Sequence, residues 1–177
     1  MAEQTTFTLR EWAFSDALSV AHHANDKAIA DNLRNGFPYP YTEADAASYI
    51  ESCAVNPEKK LVRAICADGQ AVGSIGLFLQ GDVYEKSAEL GYWLGKSFWG
   101  RGIMTRAIRG ICDEAFALFD IERIFAEPYA HNMGSRRALE KAGFTLEGIM
   151  KNSVYKNETL YDSCMYALLK QEAGERK

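Results

Sequence analysis

The chain has 177 residues, 47% hydrophobic and 25% charged, a composition that supports one globular domain with a core large enough to enclose a cleft. A formal net charge of −4 argues against nucleic acid as a partner, because a phosphate backbone needs a basic face, and it fits a cationic or amine ligand. No apolar run approaches the ~18 residues of a membrane span. The opening MAEQTTFTLREW lacks the basic start and apolar stretch of a secretory leader, so a cytoplasmic protein with no membrane partner is expected.

Residues 6–11 alternate and predict an opening strand. Ser15 as N-cap, with Asp16 in the first turn, predicts a helix to about Leu33. The aromatic loop Asn35 to Tyr41 follows. Thr42-Glu43-Ala44-Asp45 resembles a capping box and opens a second helix to about Ser52. Leu61–Ala67 and Val72–Leu79 predict a hairpin about Asp68-Gly69-Gln70. Residues 88–95 predict another strand, and a glycine-containing loop leads into a helix over 103–119. There Ile103, Ala107, Ile111, Ala115 and Phe119 recur every four positions, beside Ile108, Cys112 and Phe116. A strand over 123–129, a helix over about 133–142 ended by Gly143, and two strands joined around Lys156-Asn157-Glu158 complete a mixed α/β order.

The four cysteines, Cys53, Cys66, Cys112 and Cys164, are too widely spaced for a zinc or redox motif and predict free, mostly buried thiols. His22 and His23 are adjacent, so on a helix they diverge; an exposed face is expected rather than a metal pair, and no metal is predicted.

The loop before the helix at Ile103 carries the densest chemistry. Gly100 and Gly102 let the backbone turn its N–H groups one way. The helix behind adds unpaired N–H groups and the positive end of its dipole. Such a loop suits a phosphate. Arg101 and Arg106 add charge, and Thr105 offers a hydroxyl. Gly91 to Ser97 has one residue too few between its glycines for a nucleotide triphosphate loop. Gly100-Arg101-Gly102-Ile103-Met104-Thr105 has threonine where a dinucleotide fingerprint needs its last glycine, and the antiparallel order upstream does not fit that fold. From the residues alone, a phosphate cradle and an ordinary strand-to-helix turn both stand.

Residues 88–119 resemble the central acetyl-CoA motif of the GNAT superfamily of N-acetyltransferases. Trp99-Gly100-Arg101-Gly102-Ile103-Met104 is similar to the aromatic-Gly-x-Gly loop of the branch of ribosomal-protein N-terminal acetyltransferases (RimJ/RimL type). Two more segments resemble that branch: Asn132 to Phe144 with Glu147-Gly148, and Tyr161 to Leu169. The likeness covers about residues 6–170. It implies a single-domain GNAT-like α/β fold across residues 1–177, with a mixed, mostly antiparallel central sheet flanked by helices.

The resemblance further implies acetyl-CoA as co-substrate, no metal, and direct attack of a primary amine on a thioester. Trp99, Gly100, Arg101, Gly102, Ile103, Met104 and Thr105 would hold the pyrophosphate. The backbone of Tyr92, Trp93 and Leu94 would pair with the pantetheine like an added strand, and Asn132 would hydrogen-bond it. Glu89, opening that strand, is the expected general base. Ser135 is expected at the thiol end as cofactor contact, helix cap or proton donor. The Phe37 to Tyr41 loop lies where relatives build an acceptor wall. A protein N-terminal amine is the favoured acceptor; small-molecule amines, a non-catalytic acyl-CoA binding module, and a monomer or homodimer remain open.

Overall fold

The structure is a computed structural model that describes residues 5–175. The first residues of the segment read for a leader pattern, and the extreme ends of the expected 1–177 domain, lie outside the described residues. In chain order the strands are β1 (Phe7–Arg10), β2 (Lys60–Ala67), β3 (Gln70–Leu79), β4 (Ser87–Leu94), β5 (Arg123–Ala126), β6 (Thr145–Lys156) and β7 (Thr159–Leu169). The helices are α1 (Ala17–Ala24), α2 (Lys27–Ala30), α3 (Glu43–Cys53), α4 (Ile103–Leu118), α5 (Met133–Lys141) and α6 (Lys170–Ala173). The strands form one sheet in the order β1-β2-β3-β4-β5-β7-β6, antiparallel throughout except between β4 and β5.

Each face of the sheet carries its own core. On one side α4 buries Ile103, Ala107, Ile108, Ile111, Cys112, Ala115 and Phe116, the stripe its periodicity announces, against Ile65, Ile75, Leu77 and Leu90. On the other, α1 and α3 bury Val20, Ala24, Ala46 and Ile50 against Ala64, Ala71 and Trp93. Side chains of β4 therefore alternate between two interiors, Ala88, Leu90 and Leu94 to the first and Trp93 to the second. Cys66, Cys112 and Cys164 are buried free thiols, and Cys53 is partly exposed.

The second helix keeps the expected cap: Asp45 N–H donates to Thr42 Oγ1 at 3.2 Å while the Asp45 carboxylate accepts from Thr42 N–H at 2.8 Å. The first helix differs from expectation. It does not run from Ser15 to Leu33 but breaks at Asn25-Asp26. Asn25 leaves helical geometry and its side-chain carbonyl accepts the Tyr41 N–H at 3.0 Å; Asp26 caps the short α2 by accepting from Ala28 N–H at 2.8 Å. Both side chains compete with helical backbone bonding, as Asn and Asp do at turns. Ser15 is not the cap either: it sits inside a 3-10 turn, Phe14–Asp16, and the Asp16 carboxylate accepts the Ala13 N–H. The expected strand over 123–129 ends at Ala126, with only an isolated bridge from Tyr129 to Ser163 beyond it.

Asp16 also accepts two 2.7 Å hydrogen bonds from the Arg10 guanidinium, tying β1 to the start of α1. That bidentate contact holds the Asp16 carboxyl below its usual value, against the opposing effect of burial. A carboxyl with a depressed folded-state value stabilises the fold above the unfolded value, about pH 4, and that stabilisation is lost as pH falls through the folded value. Asp16→Asn is therefore expected to cost about 2 kcal/mol in urea melts at pH 7, with a clearly smaller loss at pH 3. Equal losses at both would show that charge is not the cause.

Candidate active site

The parallel pair β4–β5 holds for three positions only, Ser87 with Arg123, Ala88 with Ile124 and Glu89 with Phe125. Beyond Glu89 the strands part. Pro128, two residues past the end of β5, offers no N–H to a ladder, and its carbonyl accepts the Cys164 N–H at 2.9 Å while Ala130 N–H reaches Asp162 at 2.8 Å. The chain thus follows β7 and leaves one edge of β4 open from Leu90 to Leu94.

Which backbone groups face this gap follows from register. Gly95 N–H donates to the Val72 carbonyl at 2.7 Å, and Gln80 N–H donates to Ser87 at 2.9 Å. With alternate residues exchanging both bonds in an antiparallel pair, Gly91 and Trp93 turn their backbone to β3. Tyr92 and Leu94 turn theirs to the gap. Of the three residues expected to offer backbone contacts, Trp93 turns its backbone to β3, because its pair with Ser74 falls in the same hydrogen-bonding phase as Gly95 and Ser87. The Leu94 carbonyl is already engaged, accepting the Trp99 indole N–H at 2.7 Å.

That indole bond anchors the loop leading to α4. Gly100 and Gly102 have φ of +75° and +70°, and at neither would a Cβ meet another heavy atom within 4 Å. Gly102 stands at the N-cap with no side-chain cap, so the first-turn N–H groups of Ile103, Met104 and Thr105 have no capping partner. Arg101 is exposed, its guanidinium 5.0 Å from the Phe98 ring centre. Arg106 lies over the Phe7 ring, donates to the Thr5 carbonyl at 2.8 Å and, through Nε, to the Gly102 carbonyl at 3.3 Å. Ile103 is buried; Met104 and Thr105 are half-buried.

On the α4 side of β4, the Tyr92 hydroxyl lies 2.7 Å from Ser135 Oγ. Burial pushes the Tyr92 hydroxyl well above its usual value, so it stays protonated. Asn132, not Ser135, caps α5, its side-chain carbonyl accepting the Ser135 N–H at 3.2 Å. Glu89 is on the opposite face of β4, where Arg34 Nη2 pairs with Glu89 Oε1 and Arg34 Nη1 donates to Oε2 at 3.4 Å. Phe37 packs on Trp93, ring centres 6.0 Å apart, and on Tyr41 at 4.9 Å. The aromatic loop thus reaches the same face as Glu89.

A GNAT acetyltransferase domain model matches residues 6–145. The chain belongs to the GNAT acetyltransferase family. It is 37% identical over 110 residues to the putative ribosomal N-acetyltransferase YdaF of Bacillus subtilis, a stretch covering 62% of this chain and 60% of that protein. Among solved structures it is similar to the microcin C7 self-immunity acetyltransferase MccE in complex with acetyl-CoA and AMP, with a TM-score of 0.80, 27% identity and 92% of each chain covered. It also shares the fold of Mycobacterium smegmatis RimJ in complex with CoA-disulfide, with a TM-score of 0.86, 23% identity, and 98% of this chain and 88% of that one covered.

In this GNAT domain a cleft of about 320 Å³ lies beside Glu89, walled by Arg34, Glu127, Tyr129 and the Ser153–Lys156 stretch of β6. Arg34 serves both, its guanidinium on Glu89 and its side chain in the cleft wall. Lys156 is buried there, its ammonium donating to the Leu33 carbonyl, and burial lowers its proton affinity. None of these was singled out from sequence. Glu127-Pro128 was the available signal, a proline closing a short strand beside an acidic residue. Among the described residues no three His, Cys, Asp or Glu side chains group to hold a metal ion, and no helix is long and apolar enough to cross a membrane.

Gly102→Ala and Gly100→Ala each place an L-residue in left-handed geometry without a clash, and each is expected to cost about 1–2 kcal/mol in denaturant titration. An unchanged midpoint would show that the loop does not need that geometry.

Proposed function

We propose that the protein transfers the acetyl group of acetyl-CoA to a primary amine in the cytoplasm, with a protein N-terminal α-amine as the favoured acceptor. The gap between β4 and β5 carries this reading. It leaves the backbone N–H groups of Tyr92 and Leu94 without a strand partner shortly before the Gly100–Gly102 loop, with Glu89 off one face of the strand and Ser135 off the other, which supports this reading. The residues present fit the co-substrate: open space over two left-handed glycines, uncapped N–H groups at α4, and an unpaired strand edge. Acetyl-CoA, when bound, supplies an acetyl thioester.

The chain's own residues then have distinct roles. Gly100, Arg101, Gly102 and the N–H groups of Ile103 to Thr105 receive the pyrophosphate. Trp99 locks the loop onto Leu94. Tyr92 N–H and Leu94 N–H hold the arm, and one of them faces the acyl oxygen. The Asn132 amide nitrogen remains for a ligand while its carbonyl caps α5. With Tyr92 donating to Ser135 Oγ, the Ser135 hydrogen is free to aim at the departing sulfur. Glu89 accepts the amine proton. Arg34, whose side chain is 71% exposed, can withdraw and leave the carboxylate to an incoming ammonium, which replaces one positive charge by another. A peptide α-amine, with a reference pKa near ~7.7–8.0, is already partly neutral at working pH, unlike a lysine near ~10.4. The ribosomal designation of the relative YdaF supports a protein acceptor.

Glu89→Gln is expected to lower kcat by about 10²-fold at pH 7 with CoA affinity unchanged, and the loss should shrink as pH rises and the amine deprotonates unaided. Near-wild-type turnover at pH 7 would remove Glu89 from the mechanism. Acetyl-CoA binding without thiol release across a panel of peptides and small amines would instead favour a binding module.

A further inference from the structure

Gly91 is the one residue of β4 for which the fold gives no reason. Glycine inside a strand weakens it, and a strand glycine commonly marks a bulge or the close approach of a backbone or ligand. Its neighbours in β3 have such reasons. A Cβ on Gly73 would stand 2.6 Å from the Trp93 carbonyl, and one on Gly76 would stand 3.1 Å from Val62 and 3.3 Å from the Phe78 ring. Gly91 has none: its φ is not left-handed, the β3–β4 register runs through it unbroken, and a Cβ there would meet only Phe78 Cε2 at an ordinary 3.9 Å. It is also exposed.

Its position supplies a different reason. Residues two apart on one strand face lie about 7 Å from each other. Gly91 therefore forms the bare floor between Glu89 and Trp93. Phe78, 41% exposed, borders that floor from β3, and Phe37 packed on Trp93 closes its far end. A side chain at 91 would rise beside the Glu89 carboxylate, where an acceptor must place the carbon that bears its amine.

We propose that Gly91 is the specificity-determining residue of the acceptor site, keeping room for an amine carried on a branched carbon, such as the α-amine of a residue with a side chain. This rests on the acetyl-transfer reading above. An amine on an unbranched carbon, as in an N-terminal glycine, needs no such room.

The test is Gly91→Ala, with kcat/KM measured on peptides that differ only in beginning with Gly, Ala, Ser or Leu, alongside thermal melting and CoA calorimetry. Melting temperature is expected to hold or rise, and CoA affinity to stay within about twofold. Transfer to Ser- and Leu-starting peptides should fall at least about tenfold, and transfer to the Gly-starting peptide by no more than about threefold. A Ser-to-Gly preference unchanged within about twofold overturns the proposal, as does a wild type confined to unbranched amines. A lowered melting temperature overturns it too, since the glycine would then serve the fold. A wild type inert toward every amine overturns the transfer reading and this inference together, whereas an active wild type with an unmoved preference overturns this inference alone.

Discussion

The parting of β4 from β5 after three paired residues is the constraint on which the rest of this molecule depends. A parallel pair that continued would satisfy the backbone of Tyr92 and Leu94 internally and leave no edge for a ligand. The parting has a local cause in Pro128 and a remote one in β7, which takes over the hydrogen bonding of residues 128–130. Two antiparallel halves of the sheet can then each close on their own terms. Exposed strand edge is normally a liability in a soluble protein. Here it is confined to the stretch Leu90–Leu94, with α5 touching Tyr92 from one face of the strand and Arg34 meeting Glu89 on the other.

From that edge, the two-residue period of a strand does the sorting. Glu89, Gly91 and Trp93 face the α1–α3 side; Leu90, Tyr92 and Leu94 face α4. The Glu89 carboxylate and the Ser135 hydroxyl therefore lie off opposite faces of a single strand, each with its own support. Ser135 is oriented by a buried, protonated Tyr92 and by the Asn132 cap. Glu89 is met by an exposed arginine on a loop. The first arrangement is rigid, held by two partly buried hydrogen bonds, and the second is exposed at the surface.

The rigid half was also the legible half. The α4 stripe, the left-handed glycines at 100 and 102, and the cap pattern around Thr42 are dictated by residues within one or two turns of each other, so local chemistry reveals them. The Arg34–Glu89 pair joins positions 55 apart, and no pattern in either segment points to the other. Its existence hangs on the break at Asn25-Asp26. The cap residues Ser15 and Asp16 suggest one continuous helix to about Leu33, and Ile29 and Ala30 are buried as such a helix would have them, yet the two polar side chains at 25 and 26 recruit Tyr41 N–H and Ala28 N–H and turn the chain. Ser135 misled in a smaller way: serine suits a cap, but Asn132, three residues earlier, makes the bond.

This division has a physical basis beyond the present chain. A donor site built from backbone N–H groups needs only particular torsion angles, and those demand glycine, which a sequence displays openly. An acceptor site built from side chains on a loop, a strand and a hairpin needs only that three distant segments meet, and many residues satisfy that. The cleft that Arg34 shares with Glu89 draws on Arg34 and Asn35, Glu127 and Tyr129, and Ser153 to Lys156 with Ser163, the last from the hairpin farthest along the chain. Tyr129 and Ser163 of this cleft lie in the same stretch of bonding to β7 that draws residues 128–130 away from β4. Strand β4 joins the two regions, its alternate residues meeting Arg34 on one face and Ser135 on the other while its end holds the Trp99 loop.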